Sequence, residues 1–302
     1  MTGAVETSAL SKRYGATTAL APLTLSVRAG EVFGLVGPNG AGKTTFMRLL
    51  LDIIRPTIGS ARVLGEDPRQ GGAQLRRRVG YLPGELRLES RARAGELLEH
   101  YSRISGPVPP GTIERLAERL ELDLGQHVGK LSKGNKQKVG LVQAFMHQPE
   151  LLVLDEPTSG LDPLVQKEFL ALVREAKEAG QTVFLSSHVL SEIEAAADRV
   201  GVLHAGELVR VGTLSELRAS QRRRLRATVA AARRLEGALA GLERVSAVTV
   251  VEQGPEAHLS LLVEGDVDAL VKTLALFEVR DLLIEEPELE ATIIGYYRGE
   301  PA

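Results

Sequence analysis

The sequence predicts an α/β protein built on a largely parallel sheet, and three observations carry that prediction. First, EVFGLVG (31–37), LLVLDE (151–156), TVFLSS (182–187) and VGVLH (200–204) are short, nearly continuous apolar runs between amphipathic stretches, the pattern of strands buried on both faces. Second, the first two runs are separated by more residues than one crossover needs, and that interval carries helical periodicity. Third, the pattern changes after residue 212, where a new set of alternating segments begins. A chain of 302 residues has room for about two domains, so the expected division is a domain over 1–218, with a helical subdomain inserted at about 86–150, and a smaller domain over 222–302.

The elements follow in order. After the strand at 31–37, TTFMRLLLDII reads as a helix, with Pro56 beyond it. AGELLEHYSRIS (94–105), TIERLAERLEL (112–122) and SKGNKQKVGLVQAFMH (132–147) read as helices of the insertion, separated by GPVPPG and a glycine-containing stretch. Beyond a basic stretch, QRRRLRATVAAARR (221–234), come RLRATVA, RLEGALAGL, SAVTVVEQ, HLSLLVEG, DVDALVKTLAL and EVRDLLIEE. Taken as strand, helix, strand, strand, helix, strand, they match a split βαβ unit of the ferredoxin-like kind. A last helix is expected at LEATIIGYY (289–297). The arginines of 221–234 are interleaved with Leu, Ala and Val, which favours the solvated face of a strand and helix over a contact with anionic lipid.

Composition excludes several classes. Hydrophobic residues make up 43% and charged residues 25%, ordinary for folded chains and against long disorder. Lys plus Arg (37) and Asp plus Glu (39) leave a net charge of −2, so no bulk positive field exists to hold a nucleic acid, and none is expected as partner. Six Phe, five Tyr and no Trp supply few stacking platforms. No apolar run approaches the ~20 residues of a membrane-spanning helix. The opening MTGAVETSALSKRYG lacks the basic-then-apolar pattern of a signal peptide, which predicts a cytoplasmic chain. Zero Cys excludes disulfides, thiolate catalysis and cysteine-built zinc sites.

Two motifs carry chemistry. GPNGAGKTT, comprising Gly37, Pro38, Asn39, Gly40, Ala41, Gly42, Lys43, Thr44 and Thr45, fits the G-x-x-x-x-G-K-[ST] phosphate loop, between a buried strand and a helix as that chemistry requires. Glycines let successive N–H groups converge on one anion, and the helix N-terminus adds its dipole. Lys43 is expected to reach the β- and γ-phosphates of ATP, and Thr44 to offer its hydroxyl to Mg²⁺. LLVLDEP places Asp155 and Glu156 at the C-terminal end of a strand, where open α/β sheets bind ligands. Asp155 is expected to hold Mg²⁺ through water, and Glu156 to polarise the water that attacks the γ-phosphate. A solvated strand end is the plain alternative. The fold expected is therefore a P-loop NTPase sheet domain.

The phosphate loop, LSKGN (131–135), LLVLDE (151–156), SGLD (159–162) and SSH (186–188) occur in the order and approximate spacing of the nucleotide-binding subunits of ATP-binding-cassette transporters, and residues 5–215 resemble that family. LSKGNKQK and the extra C-terminal domain look most like its drug and antibiotic exporter branch. The resemblance implies an ATPase that drives an exporter. It implies a homodimer sandwiching two ATP, and a separate multispanning permease that holds the chain at the cytoplasmic face of the membrane. It also implies a signature role for Ser132 and Gly134 on the partner's γ-phosphate, a switch role for His188, an interface role for Asp162 and adenine stacking on Tyr14. Ser132 and Asp162 also suit plain helix caps, and His188 and Tyr14 plain packing.

Three departures stand out. Lys133 and Asn135 replace the family's usual Gly and Gln, and GYLPGEL (80–86) has Gly84 where the family carries Gln. Glu85 substituting for that Gln, or a loop that couples only mechanically, are both open. The C-terminal domain shows no catalytic constellation and is expected to regulate or to stabilise the dimer. Two rivals follow from the same residues: a soluble cassette ATPase acting on ribosome or nucleic acid, and an ATP-binding regulatory module with little turnover.

Overall fold

The computed structural model of the chain describes residues 3–88, 91–219, 222–230, 235–239, 241–242, 244–254 and 256–285. It divides into two compact units, Met1–Gly212 and Thr213–Ala302.

The first unit opens with β1 (Gly3–Tyr14), β2 (Thr17–Arg28), β3 (Val32–Val36), α1 (Lys43–Leu50), β4 (Ile58–Val63), α2 (Pro68–Arg77) and β5 (Val79–Leu82). It continues with α3 (Ala94–Ser105), α4 (Thr112–Arg119), α5 (Lys133–Phe145), β6 (Leu151–Asp155), α6 (Pro163–Glu178), β7 (Thr182–Ser187), α7 (Leu190–Ala196), β8 (Arg199–His204) and β9 (Glu207–Thr213). The four apolar runs are strands of one six-stranded sheet, ordered β5-β6-β7-β3-β8-β9. β3 runs parallel to both β7 and β8, and β6 parallel to both β5 and β7. Every residue of β3, β6 and β7 is buried, which is why these segments read as unbroken apolar runs. β7 lies between β3 and β6, so the loops leaving these three strands meet at one edge of the sheet.

Aromatic packing seats that edge. Phe33 of β3 stacks on Phe184 of β7 at 5.4 Å, and Phe46 of α1 meets Phe184 at 5.7 Å. Such pairs contribute about 0.5–1.5 kcal/mol each beyond area burial, and here they tie the first turn of α1 to the sheet. Gly80 of β5 faces the end of α5, where an added Cβ would overlap the Ala144 carbonyl oxygen. Gly80→Ala is expected to destabilise the fold by about 1–3 kcal/mol through overpacking, read as a fall in thermal midpoint.

The three helices of the insertion fall where their periodicity placed them. Arg119 of α4 pairs with Glu168 and Glu175 of α6, a link that holds the Glu175 carboxyl below its usual range. A three-stranded antiparallel sheet, ordered β2-β1-β4, was not foreseen from the sequence, nor were α2, β5 and β9. β1 pairs with β2 through several register shifts, which break its alternation, although β2 alternates strictly over 23–28. The helix after the phosphate loop also ends earlier than expected: α1 stops at Leu50, and Asp52 turns left-handed at φ +55°.

The second unit contains α8 (Leu214–Ala219), β10 (Arg222–Ala230), α9 (Leu235–Leu239), β11 (Val245–Gln253), β12 (Glu256–Glu264), α10 (Asp268–Leu274) and β13 (Glu278–Glu285). Its four-stranded sheet has the order β11-β12-β10-β13 with antiparallel pairing, the arrangement of a ferredoxin-like βαββαβ unit. Leu225, Val229, Leu259 and Leu261 pack with Leu235, Leu239, Leu270 and Leu274 in its core. Arg224 and Arg226 are exposed on β10, and Arg226 reaches Glu285 at 3.5 Å. The helix expected at 289–297 lies outside the described residues.

Candidate active site

The phosphate loop leaves the end of β3 under tight spatial demands. A Cβ on Gly37 would overlap the Leu203 carbonyl oxygen, and Gly40 and Gly42 have φ of +82° and +107°. These are conformations and approaches that side chains oppose, so backbone N–H groups turn into the loop instead. Ala41 is buried, and its carbonyl accepts from the Gly206 N–H at 2.9 Å, anchoring the loop to the β8–β9 turn. Pro38, Asn39 and Thr45 complete the loop and the first turn of α1.

Lys43, the first residue of α1, is buried. Its ammonium donates to Gly37 O at 2.6 Å and Pro38 O at 3.3 Å, and lies 3.1 Å from Glu156 Oε1. Thr44 Oγ1 donates to Asp155 Oδ2 at 2.6 Å, and Ser186 Oγ donates to Asp155 Oδ1 at the same distance. Asp155 is fully buried, so its carboxylate is fixed from both sides.

Glu156 follows in a left-handed conformation, φ +49°. Backbone in that region is costly for a side-chain residue and persists only when its surroundings hold it. Here its N–H donates to Ser186 Oγ at 3.1 Å, and its carbonyl accepts from Gln137 Nε2 at 3.2 Å. The side chain thereby turns across the phosphate loop. Oε2 accepts from His188 Nδ1 at 2.6 Å, while buried Oε1 has no hydrogen bond and faces only the Lys43 ammonium. Lys43, Thr44, Asp155, Glu156 and His188 thus come together from three strand ends.

The other candidates lie in different surroundings. Ser132 caps α5, accepting from the Asn135 N–H at 3.2 Å. Gly134 presses against the following loop, where a Cβ would stand 2.5 Å from Gly160 O, and Lys133 donates to Ser159 Oγ at 3.3 Å. Asp162 caps α6; the Val165 and Leu164 amides and nearby Lys138 hold its carboxyl below the usual range. Tyr14 is half exposed, with Lys12 Nζ 5.0 Å from its ring centre. Glu85 is largely exposed and meets Arg87 at 3.5 Å, whereas a Cβ on Gly84 would stand 3.0 Å from Asp155 Oδ2. Ser186 and Gln137 lie within the quoted SSH and LSKGNKQK segments, but sequence reasoning gave neither a role. Two hydroxyls ending an apolar strand were a usable signal for Ser186; nothing local marked what Gln137 reaches.

These groups fit magnesium-bound ATP. Thr44 and Asp155 supply hard oxygen donors side by side, the loop supplies N–H groups and a cation for phosphate, and buried Glu156 Oε1 is paired only with the Lys43 ammonium. Among the described residues no group of three or more His, Cys, Asp or Glu is placed to hold a metal, so a cation here needs oxygens from nucleotide and water.

A parallel sheet carrying this loop and acidic strand end defines a P-loop nucleoside triphosphatase. The sequence profile described as ABC transporter matches residues 20–159. The chain is 39% identical over 212 residues to the bacitracin transport ATP-binding protein BcrA of Bacillus licheniformis, 69% of each chain. It is 34% identical over 293 residues to the uncharacterized ABC transporter ATP-binding protein YxlF of Bacillus subtilis (strain 168), 93% of this chain and 97% of that one. A solved structure of an ATP binding subunit of an ABC transporter superposes with a TM-score of 0.66 at 33% identity, covering 71% of this chain and 91% of that one. The chain belongs to the ABC transporter family as an ATP-binding subunit that hydrolyses ATP.

Proposed function

We infer that this chain powers an exporter of drug-like or antibiotic small molecules, working as a homodimer on a separate membrane-spanning permease at the cytoplasmic face of the membrane. The convergence of Lys43, Thr44, Asp155, Glu156 and His188 at one sheet edge carries the reading, and the likeness to a bacitracin transport subunit supports the cargo class. No described helix is long and apolar enough to cross a membrane, so transport needs a partner that does. An apolar groove of about 450 Å³ beside the Gly84 loop, lined by Leu51, Ile53, Tyr81, Leu86, Tyr101 and Ile104, suits a cytoplasmic segment of that partner.

In hydrolysis, Thr44 and Asp155 would hold Mg²⁺, which neutralises charge on the β- and γ-phosphate oxygens. Lys43 leaves Glu156 for the phosphates. Glu156 takes a proton from water as the water oxygen bonds to the γ-phosphorus, and the bond to the bridging oxygen breaks with its electron pair leaving on ADP. His188 keeps the Glu156 carboxylate aimed. Ser132 and Gly134 open a helix whose free N–H groups reach the γ-phosphate held by the partner subunit, with Asp162 at the same interface and Tyr14 under the adenine. The second unit stabilises the dimer or regulates it.

The test is to tag the chain, solubilise native membranes gently and identify what copurifies in stoichiometric amount. A multispanning membrane protein is expected. Ribosomal or nucleic-acid partners without one would overturn the reading. Removing residues 222–302 is expected to change dimer lifetime or turnover; if both stay as they are, the role given to the second unit falls.

A further inference from the structure

Gly84 lies in the loop between β5 and the inserted helices, and the space a side chain would take there is filled by the carboxylate of Asp155. A Cβ there would be 3.0 Å from Asp155 Oδ2 and 3.2 Å from its Cγ. We propose that Gly84 is a positioning residue: its bare α-carbon leaves the Mg²⁺-holding carboxylate of Asp155 the space it occupies, so that the absence of a side chain is itself the working feature. The inference deepens the reading of Asp155 given above and rests on it.

Neither side of the contact can give way. Asp155 is fully buried, with Oδ2 bound by Thr44 Oγ1 and Oδ1 by Ser186 Oγ at 2.6 Å each. A shift that relieved a methyl at position 84 would lengthen one of those bonds. The loop is held as well. Pro83 restricts it on one side, and Leu86 on the other lies over α5 at Gly140, where a Cβ would stand only 2.6 Å from Leu86 Cδ2. Gly84 is not among the residues with positive φ, so the demand for glycine is one of space rather than backbone conformation. A methyl against the carboxylate oxygen would also bring apolar surface to an atom that must keep facing a cation.

Two consequences follow. Glu85 is not the substitute ligand, since its carboxylate is 78% exposed and turned to Arg87. A Gln at 84, the family's usual residue, brings a Cβ that crowds Asp155 Oδ2 at 3.0 Å, so Gly84→Gln is expected to weaken metal holding. Pro83 and Leu86 also line the apolar groove.

The test uses the full chain with adenylyl imidodiphosphate as a non-hydrolysable ATP and Mn²⁺ as the metal, and reads how much Mn²⁺ tightens nucleotide binding. Gly84→Ala is expected to reduce that tightening about tenfold, the scale seen when the groups orienting metal ligands are altered, and Gly84→Gln at least as much. Metal-free nucleotide affinity should stay as in the unmodified chain. Adding Leu86→Ala to Gly84→Ala frees the loop to retreat and is expected to recover most of the loss. Unchanged or greater tightening in either single variant, or a double variant as weak as Gly84→Ala, overturns the proposal. Asp155→Asn separates the two levels. If it leaves the Mn²⁺ effect intact, the reading of Asp155 fails; if it abolishes the effect while the Gly84 variants behave as unmodified chain, only the present inference fails.

Discussion

Glu156→Gln is expected to lower ATP turnover by about 10²- to 10⁴-fold while nucleotide binding persists, the scale of removing a positioned general base. The substitution changes one oxygen to an amide and keeps the side chain's length, so the clamp on its backbone by Ser186 and Gln137 is undisturbed. What is lost is the basic oxygen. The Glu156 carboxylate also draws on the Lys43 ammonium, 3.1 Å from Oε1. Removing that charge leaves Lys43 freer for phosphate, so affinity for ATP should hold or rise. Phosphate release and equilibrium nucleotide binding, measured side by side, check both halves. Turnover equal to that of the unmodified chain would remove Glu156 as the base and favour a regulatory module over an ATP-driven machine.

Lys43→Met is expected to weaken ATP binding by at least about a hundredfold. Each charge-assisted hydrogen bond from an ammonium to phosphate contributes ~1.5–3 kcal/mol, and Lys43 is expected to reach both the β- and γ-phosphates. The stability effect is separable. In the free protein the ammonium already serves Gly37 O, Pro38 O and Glu156 Oε1, and a thioether serves none of them. An unpaired buried acceptor costs about 1–3 kcal/mol, so the thermal midpoint should fall by several degrees while the chain still folds. Calorimetric titration with ATP, beside a melting curve, distinguishes the two. Undiminished affinity would mean that phosphate is held elsewhere.

The strands that build the site were legible because burial on both faces leaves little freedom of composition: EVFGLV, LLVLD and TVFLSS can hardly be anything else. The inserted helices were legible through their amphipathic period, and the second unit through its strand and helix order. The β2-β1-β4 sheet was not. β1 alternates imperfectly and carries register shifts, whereas β2 does alternate over 23–28, a strand signal left unused. Lys43, Thr44, Asp155 and Glu156 announced themselves through motif spacing. Ser186 and Gln137 stood inside the SSH and LSKGNKQK segments without an assignable role, because that role lies in which atoms of Asp155 and Glu156 they reach in space.

By itself, then, the sequence determined the kind of machine: strand–loop–helix around a phosphate loop, an acidic pair at a strand end, an inserted helical piece and a ferredoxin-like unit. Those follow from local constraints, namely hydrophobic period, glycine freedom and the order of elements along the chain. Tertiary structure alone decided the state of the groups within the site. That Glu156 is turned left-handed and divided between Lys43 and His188, that Asp155 is gripped by two hydroxyls, and that Gly84 rather than Glu85 stands beside it are facts of contact between segments far apart in the chain. The physical reason is that hydrogen bonds and close approaches depend on tenths of an ångström between neighbouring strand ends, and no one-dimensional pattern carries that distance.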